Sequence, residues 1–202
     1  SIIIPLYGGE IDIRMCLNSL EACRDLFSEV VVVDDVSPDG AAEVAESFTW
    51  ARVLRNERNL GFAGTCNRGF EESTGDVVIF LNSDTILPRA GLIRLIESLM
   101  TSGAIGAVGP YTNCSAYHQS INPTYTKLEH LDLFATDFAA RTNPDLGVQI
   151  LVGFCVAARR TTLEEVGGPF DEAFGRGTFE DNDLCYRLLR AGYQLKVSAR
   201  SY

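Results

Sequence analysis

Four short polar segments hold the side chains of this sequence that could do chemistry, and the first is Asn82-Ser83-Asp84. It ends the apolar run "VVIFL" at residues 77–81. A carboxylate at the end of a buried strand can bind a hard divalent cation, because Mg²⁺ prefers oxygen ligands and keeps waters and substrate phosphates in its other positions. The alternative is that Asp84 forms an Asx-turn or caps a helix that begins near Pro88. The segment on its own favours the cap.

The second segment is Asp34-Asp35, which follows the apolar run "VVVV" at residues 30–33. A carboxylate in this position can accept hydrogen bonds from a nucleobase N–H or from a ribose hydroxyl. The alternative is turn chemistry, since "DDVSPDG" is rich in turn-forming residues. The two interpretations are evenly balanced on these residues alone.

The third segment is "NLGFAGTCNRG", residues 59–69. Asn59 and Asn67 can hydrogen-bond a ligand, and Gly61 allows the backbone to come close to it. The segment lacks the GxGxxG spacing of a dinucleotide-binding fold, and a loop-to-helix junction that needs glycine for its turn is the alternative. Arg68 is either an exposed helical cation or a phosphate contact, and the sequence leaves both open.

The fourth segment is "FEDND", residues 179–183, with the Gly-rich turn region "GPFDEAFGRGT" before it. Carboxylates at the start of a helix are stabilised by its dipole by ~0.3–1 kcal/mol each, which is a sufficient structural reason for them. The functional interpretation makes one of them a general base that takes a proton from a hydroxyl nucleophile and contributes ~10²–10⁴-fold. The Gly-rich region could shape a pocket beside it.

Strands and helices alternate along the parts of the chain that must position these segments. Apolar runs predict strands near residues 2–4, 30–33, 51–54, 77–81, 105–108 and 148–158. Helical spacing predicts helices near residues 13–27, 41–48, 63–73, 88–100, 161–168 and 180–192. Strands that are apolar throughout, alternating with amphipathic helices, indicate an α/β fold with a parallel sheet covered on both faces. Ligands bind such sheets beyond the carboxyl ends of the strands, where Tyr7, Asp34-Asp35 and Asn82-Ser83-Asp84 are expected.

Residues 111–147 break this pattern, since they are rich in Asn, Thr, Tyr and Pro. We expect a long irregular excursion with a short helix near residues 128–140, and excursions of this length tend to carry function. Its two histidines, His118 and His130, match no metal-ligand spacing. With 202 residues the chain is expected to form one domain, and because both of its ends look like strands we expect it to be a piece of a longer chain.

Composition excludes several classes of function. Acidic residues outnumber basic ones by 27 to 17, a formal net charge of −10, which argues against a nucleic-acid groove held by many Lys and Arg. No run of 18 apolar residues occurs, so no transmembrane helix is expected. The six cysteines form no CxxC pair and lie mostly in apolar stretches, which predicts free core thiols in a reducing compartment and neither a disulfide framework nor a zinc site.

Together these segments resemble the family 2 glycosyltransferases, whose fold is called GT-A. Four stretches match in order, namely "IIIPLYGGEIDIRMCLNSL", "VVVVDDVSPDG", "NLGFAGTCNRGFEESTGDVVIFLNSDTIL" and "VGGPFDEAFGRGTFEDNDLCYRLLRAGY". The resemblance covers residues 2–110 and about 148–198, and leaves 111–147 as a variable acceptor region. It implies a GT-A-type, Rossmann-like and mostly parallel central sheet with helices on both faces. Residues 1–110 would form the nucleotide-sugar-binding half and residues 111–202 the acceptor-side half.

The resemblance also implies a role for each polar segment. Asp34 and Asp35 would hold the base and ribose of a sugar nucleotide. Asp84 would bind a Mg²⁺ or Mn²⁺ ion that bridges the diphosphate, and Asp181 would be the catalytic base. The other residues of the implied nucleotide-sugar site are Pro5, Tyr7, Asn59, Gly61, Asn67, Asn82 and Ser83, and the implied acceptor-side residues are Glu180 and Asp183.

Three positions depart from the family's pattern. The first acid of its metal-binding DxD motif is Asn82 here, which leaves Asp84 as the implied metal ligand. Many members carry an Arg at the position of Cys66, so we expect one phosphate contact to be absent. Many also have a His a few residues beyond the last strand, whereas this sequence ends at Tyr202. We therefore expect the fragment to lack part of its own site.

The function implied is an inverting, metal-assisted glycosyltransferase of polysaccharide biosynthesis. It would move a sugar from a UDP-, dTDP- or GDP-linked donor to a hydroxyl of a glycan, lipid-linked or protein acceptor. We expect it in the cytoplasm, with the inner face of the membrane as the other location. One alternative is a sugar-phosphate nucleotidyltransferase, which would need a basic Gly-rich loop after the first strand, where "PLYGGEIDIR" offers only Arg14. Another is a non-catalytic sugar- or nucleotide-binding module of a larger protein, against which the intact Asp181 counts.

Overall fold

The strands and helices alternate over the first half of the chain as the sequence predicts. The computed structural model describes residues 1–175 and 178–202. The strands are β1 Ile2–Leu6, β2 Val30–Asp34, β3 Arg52–Arg55, β4 Val77–Leu81, β5 Ile105–Gly109, β6 Leu146–Val148, β7 Cys155–Arg159 and β8 Gln194–Val197. The α-helices are α1 Glu10–Glu21, α2 Ala41–Glu46, α3 Gly61–Glu72, α4 Arg89–Met100, α5 Leu131–Ala139, α6 Arg160–Glu165 and α7 Glu180–Arg190.

These strands form one sheet with the order β3-β2-β1-β4-β7-β5-β8-β6. Strand β1 pairs in parallel with β2 and β4, β2 with β3, and β5 with β8. Strand β7 is antiparallel to β4 and β5, and β6 is antiparallel to β8. The predicted α/β fold with a Rossmann-like, mostly parallel sheet is therefore confirmed. The chain runs outward from β1 to β3 and then resumes on the other side of β1 with β4, so the strand order reverses beside β1.

Both faces of the sheet are covered by helices, which explains why β1, β2 and β4 are apolar at almost every position. Ile2, Ile4 and Leu81 belong to a core cluster shared with α1, α2 and α4. Ile3 and Phe80 point to the opposite face and belong to a second cluster shared with α3 and α7. Because successive side chains of a strand alternate between faces, a sheet with two covered faces needs an apolar residue at nearly every strand position.

The predicted single strand at residues 148–158 is wrong, because the structure divides it into β6 and β7. Strand β6 lies at the edge of the sheet and pairs with β8, while β7 lies between β4 and β5. The chain must leave the sheet between these two places, and residues 149–154 form the connecting loop. Leu151 is nevertheless buried in the second core cluster. An apolar run can therefore be a packed loop, which periodicity alone does not distinguish from a strand.

The irregular excursion at residues 111–147 contains α5 where a short helix was predicted. An aromatic cluster fixes this excursion to the end of the described chain. The Phe134 and Tyr202 rings lie 4.7 Å apart between centroids, and the hydroxyls of Tyr125 and Tyr202 share a hydrogen bond of 2.8 Å. The excursion is thus packed against the end of the described chain.

The cysteines lie where the sequence predicted, with one exception. All six are free thiols, and only Cys114 is exposed. Burial raises the pKa of the Cys155 thiol to about 12 and that of Cys185 to about 11, so both are neutral near pH 7. Among the described residues, no helix has the length and apolar character needed to cross a bilayer.

Candidate functional site

A cavity of about 740 Å³ lies beyond the carboxyl ends of β1, β2 and β4. This is the point where the strand order reverses, which is where open α/β sheets bind their ligands. The residues predicted from the sequence that line it are Pro5, Tyr7, Asp35, Asn59, Gly61, Asn82, Ser83 and Asp84. The other lining residues, which were not predicted, are Leu6, Gly8, Gly9, Asp12, Val36, Phe62 and Thr65. Gly8 and Gly9 carried a usable signal, since a glycine pair directly after a strand indicates a turn, and both have positive φ.

Asp84 is exposed at this cavity and does not cap a helix. Helix α4 begins at Arg89, and its N-cap residue Pro88 provides no side-chain cap. Within the described residues, no hydrogen bond of the structure joins the Asp84 carboxylate to α4 or to any other group. The cap that the segment alone favoured is therefore wrong. The carboxylate stands free at the end of β4 with both oxygens available to a ligand.

The cluster at residues 82–84 fits a hard divalent cation. Asp84, Asn82 and Ser83 offer carboxylate, amide and hydroxyl oxygens, which such ions prefer. The nearby Cys16 thiol points at the Asn82 carbonyl, and burial, followed by the Asp84 charge, raises its pKa well above the usual range. It therefore stays protonated and adds no thiolate. In the described parts of the chain, no group of three or more His, Cys, Asp or Glu could hold an ion by itself. An ion at Asp84 would take most of its ligands from substrate and water.

Asp35 is turned toward the start of α3. It is only 4% exposed, and its Oδ1 accepts hydrogen bonds from Leu60 N at 2.7 Å and from Asn56 Nδ2 at 2.7 Å. Its Oδ2 accepts a hydrogen bond from Gly61 N at 2.9 Å. The carboxylate thus satisfies N–H groups that the first turn of α3 leaves free and opposes the positive end of its dipole. Asp35 shapes the cavity wall as well as lining it.

Asp34 does not line the cavity. Its Oδ1 accepts a hydrogen bond from Ser37 N at 3.1 Å, and the side chain is 4% exposed. This is the turn chemistry that was the alternative for the pair. The two neighbouring acids therefore differ in their surroundings, because Asp34 holds the turn after β2 and Asp35 faces both the cavity and α3.

Of the two asparagines in segment 59–69, only Asn59 lines the cavity. Its Nδ2 donates to the carbonyl of Asp35 at 3.1 Å. Asn67 instead exchanges hydrogen bonds with the backbone of Phe170 and lines a separate cavity of about 320 Å³. Arg68 donates to the Arg55 carbonyl at 2.8 Å and also to the side chain of Asn56. Arg68 therefore holds the loop between β3 and α3, a role that neither alternative anticipated.

Asp181 lies at the start of α7 and is not among the residues that line the first cavity. Its Oδ2 accepts a hydrogen bond from Gly153 N at 3.1 Å, and its Oδ1 accepts one from Asn182 N at 2.7 Å. The loop that carries Gly153 also touches the other acidic site, because Asn82 N donates to the Phe154 carbonyl at 2.8 Å.

The two other acids of segment 179–183 have structural partners. Glu180 Oε2 accepts hydrogen bonds from Thr178 N at 2.8 Å and Phe179 N at 3.0 Å, so it fixes the entry into α7. Asp183 accepts a hydrogen bond from Arg187 Nε at 2.7 Å, one turn along the helix. The acceptor-side role of both residues stays a prediction. Positions 176 and 177 of the Gly-rich turn region lie outside the described residues.

Comparison with known proteins identifies the family. Residues 1–167 match the model of "Glycosyl transferase family 2". This chain belongs to that family. Over 198 residues it is 28% identical to the pre-mycofactocin glycosyltransferase of Mycobacterium tuberculosis, covering 97% of this chain and 40% of the relative. Over 113 residues it is 32% identical to the dolichol-phosphate mannosyltransferase of Pyrococcus furiosus, covering 54% of this chain and 32% of the relative. The family 2 chain thus spans less than half the length of these relatives.

A solved structure confirms the GT-A fold of this family 2 chain. The crystal structure of GalNAc-T7 with UDP, GalNAc and Mn²⁺ superposes with a TM-score of 0.78. The superposition covers 98% of this chain and 42% of GalNAc-T7, at 15% sequence identity. At that identity the likeness establishes the fold alone.

Proposed function

We propose that this chain is a glycosyltransferase domain that transfers a sugar from a nucleoside diphosphate donor to an acceptor hydroxyl. The observation that carries the proposal is the cavity where the strand order reverses, with the free Asp84 carboxylate at its edge. Family membership supports it, as do the activities of both named relatives. GalNAc-T7, which shares the fold, was solved with a nucleoside diphosphate and Mn²⁺.

The charge of the cavity supports metal-assisted binding of the donor. Asp12, Asp35 and Asp84 are the charged residues among its described lining, and no Lys or Arg accompanies them there. A diphosphate is itself anionic, so it would be repelled from such a cavity unless a cation lay between. Asp84, whose carboxylate makes no hydrogen bond within the described residues, would hold Mg²⁺ or Mn²⁺ there. When bound, the ion would offset the charge that develops on the leaving diphosphate, which is worth several kcal/mol.

The same charge distribution counts against a sugar-phosphate nucleotidyltransferase. That enzyme would have to bind a triphosphate, which carries still more negative charge than the diphosphate of a sugar nucleotide. Gly8 and Gly9 do form a turn after β1, but no basic residue of the described lining accompanies them. The second candidate is a non-catalytic binding module. It differs from the transferase in that it does not need Asp181 as a general base.

Asp181 is the proposed general base. The acceptor hydroxyl would attack the anomeric carbon of the sugar, forming a new carbon–oxygen bond while the bond to the diphosphate breaks. Asp181 would take the hydroxyl proton during the attack. A single in-line displacement of this kind inverts the anomeric configuration. The hydrogen bond from Gly153 N holds the Asp181 carboxylate in place for this role.

For the acceptor we propose only a chemical class, and for the cellular location only a compartment. A glycan, a lipid-linked sugar or phosphate, and a protein hydroxyl all suit the chemistry, and the likeness to a dolichol-phosphate mannosyltransferase supports a lipid-linked acceptor. We propose that the domain serves polysaccharide biosynthesis in the cytoplasm or at the inner face of the membrane. Residues 111–202 would form its acceptor-side half.

A titration with UDP, GDP and dTDP, each with and without Mn²⁺, tests the donor site. We expect one nucleotide to raise the melting temperature, and Mn²⁺ to increase that rise. At a ligand concentration of about 100 Kd, the stabilisation of ~2.7 kcal/mol corresponds to about 5–10 °C for a domain of this size. If none of the three nucleotides shifts the melting temperature in the presence of Mn²⁺, the donor site is wrongly assigned.

A further inference from the structure

Val36 has a backbone conformation that β-branched residues rarely adopt. Its φ is 65°, in the left-handed region. Among the described residues, the other non-glycine residues with positive φ are Tyr117 and Thr178, and seven glycines share this sign. A branched Cβ is crowded in this conformation, so the position carries steric strain that glycine would relieve.

Hydrogen bonds on both sides of Val36 impose this conformation. Before it, Asp35 N donates to the last residue of β1 at 2.8 Å, and the Asp35 carboxylate is bound to the start of α3. After it, Ser37 N donates to Asp34 Oδ1 at 3.1 Å, and Ser37 Oγ accepts from Gly8 N at 2.8 Å. Strained conformations persist where the surrounding structure determines them, and they are concentrated at ligand sites.

Packing within the fold does not explain why this residue is valine. Its side chain is 45% exposed, so burial of its own apolar surface is small. Glycine or asparagine would adopt the same backbone conformation at lower steric cost. The side chain lies at the cavity, where it shares the lining with Tyr7, whose exposure is 63%. The pairing of Leu6 with Asp34 places the residues that follow β1 and β2 side by side.

We propose that Val36 is a donor-binding residue of the cavity, whose isopropyl group packs against the nucleobase of the donor next to Tyr7. The inference rests on the proposed function and deepens it by naming a residue that contacts the base. A flat base has two apolar faces and a polar edge. Val36 and Tyr7 offer it apolar surface, and the polar side chain of Asn59 lines the same cavity. Contact with the ligand buries the valine that the folded chain leaves exposed.

Val36→Gly tests this proposal by removing the side chain and the strain together. Calorimetric titration with the nucleoside diphosphate that binds the wild type, with Mn²⁺ present, should show affinity weakened by about tenfold, as expected for loss of a buried valine side chain. The melting temperature without nucleotide should stay level or rise. The parent nucleoside, which lacks phosphates, should lose affinity by a similar factor, because the lost contact is to the base.

Thr178→Gly is the matched control. It relieves the same kind of strain in a β-branched residue that is not part of the cavity lining, so it should leave nucleotide affinity unchanged. Val36→Ala is the second variant and should weaken nucleotide affinity by a smaller factor. It still tests the proposal if the glycine variant folds poorly.

Two results would overturn the proposal in different ways. If the wild type binds a nucleotide and both Val36 variants bind it equally well, Val36 does not contact the base, while the donor site itself stands. If the wild type binds none of UDP, GDP and dTDP with Mn²⁺, the proposed function fails and this inference fails with it.

Discussion

The Asp181 carboxylate is held by the backbone N–H of Gly153, with Oδ2 and N 3.1 Å apart. The next residue, Phe154, accepts a hydrogen bond from Asn82 N at 2.8 Å. One short loop therefore connects the start of α7 with the end of β4. Since Asp84 follows Asn82 by two residues, this loop fixes the position of the proposed base relative to the proposed metal ligand.

Asp181→Asn should reduce transfer by ~10²–10⁴-fold without weakening nucleotide binding, because an amide can replace the carboxylate sterically but cannot take the proton. The measurement is release of nucleoside diphosphate from the donor with water as acceptor, together with the nucleotide-induced rise in melting temperature. Asp137→Asn is a matched control on the exposed side of α5. Wild-type turnover by the Asp181 variant would show that another group is the base.

Asp84→Asn should abolish the part of the nucleotide-induced thermal shift that depends on Mn²⁺. The neutral amide is a weak ligand for a hard cation, and without the cation the acidic cavity repels the diphosphate. Melting curves with nucleotide, with and without Mn²⁺, provide the measurement, and Asp137→Asn again serves as the control. A variant that keeps the full Mn²⁺ increment would assign the ion to another carboxylate of the cavity.

The carboxyl ends of the strands could be predicted from the sequence because each strand is defined by its own residues. Four or five consecutive apolar residues must lie between two covered faces, and the first polar residue after them must leave the sheet. This reasoning placed Tyr7, Asp35 and Asp84 at one edge of the sheet, and the cavity lies there. The argument needs only local sequence and the geometry of parallel strands.

The partners of these residues could not be predicted, because they depend on how distant segments pack. Asp35 meets the N–H groups of Leu60 and Gly61 across 25 and 26 residues of chain, and Asp181 meets Gly153 across 28. The left-handed conformation of Val36 likewise follows from hydrogen bonds made by its neighbours. The residue type did not predict this conformation, because valine is among the residues least expected at positive φ.

Asp35→Asn should destabilise the fold by about 2–4 kcal/mol. The buried carboxylate accepts hydrogen bonds on both oxygens, and an amide presents an N–H₂ group to one of those donors. Asp34→Asn is the matched control and should cost only about 1 kcal/mol, because a single N–H group depends on its side chain. Urea unfolding of the two variants compares the free energies of unfolding. Equal losses would contradict the role of Asp35 in holding α3.

The stability of the fold should fall in alkaline solution, in part through the Cys155 thiol. Burial raises its pKa from 9.0 to about 12, so the folded state keeps a proton that the unfolded state releases. This contribution is fully present below pH 9.0 and is lost as the pH rises toward about 12. Its slope over that window is about 1.4 kcal/mol per pH unit.

Cys155→Ala should therefore make the unfolding free energy fall less steeply with pH, by about 1.4 kcal/mol per pH unit. The variant should also be less stable at pH 7, because the shorter side chain leaves a small cavity. Urea unfolding between pH 8 and pH 10.5 measures the slope. Cys114→Ala, at the exposed thiol, is the matched control and should leave the slope unchanged. A wild-type slope in the Cys155 variant would show that this thiol ionises as readily in the folded state as in the unfolded chain.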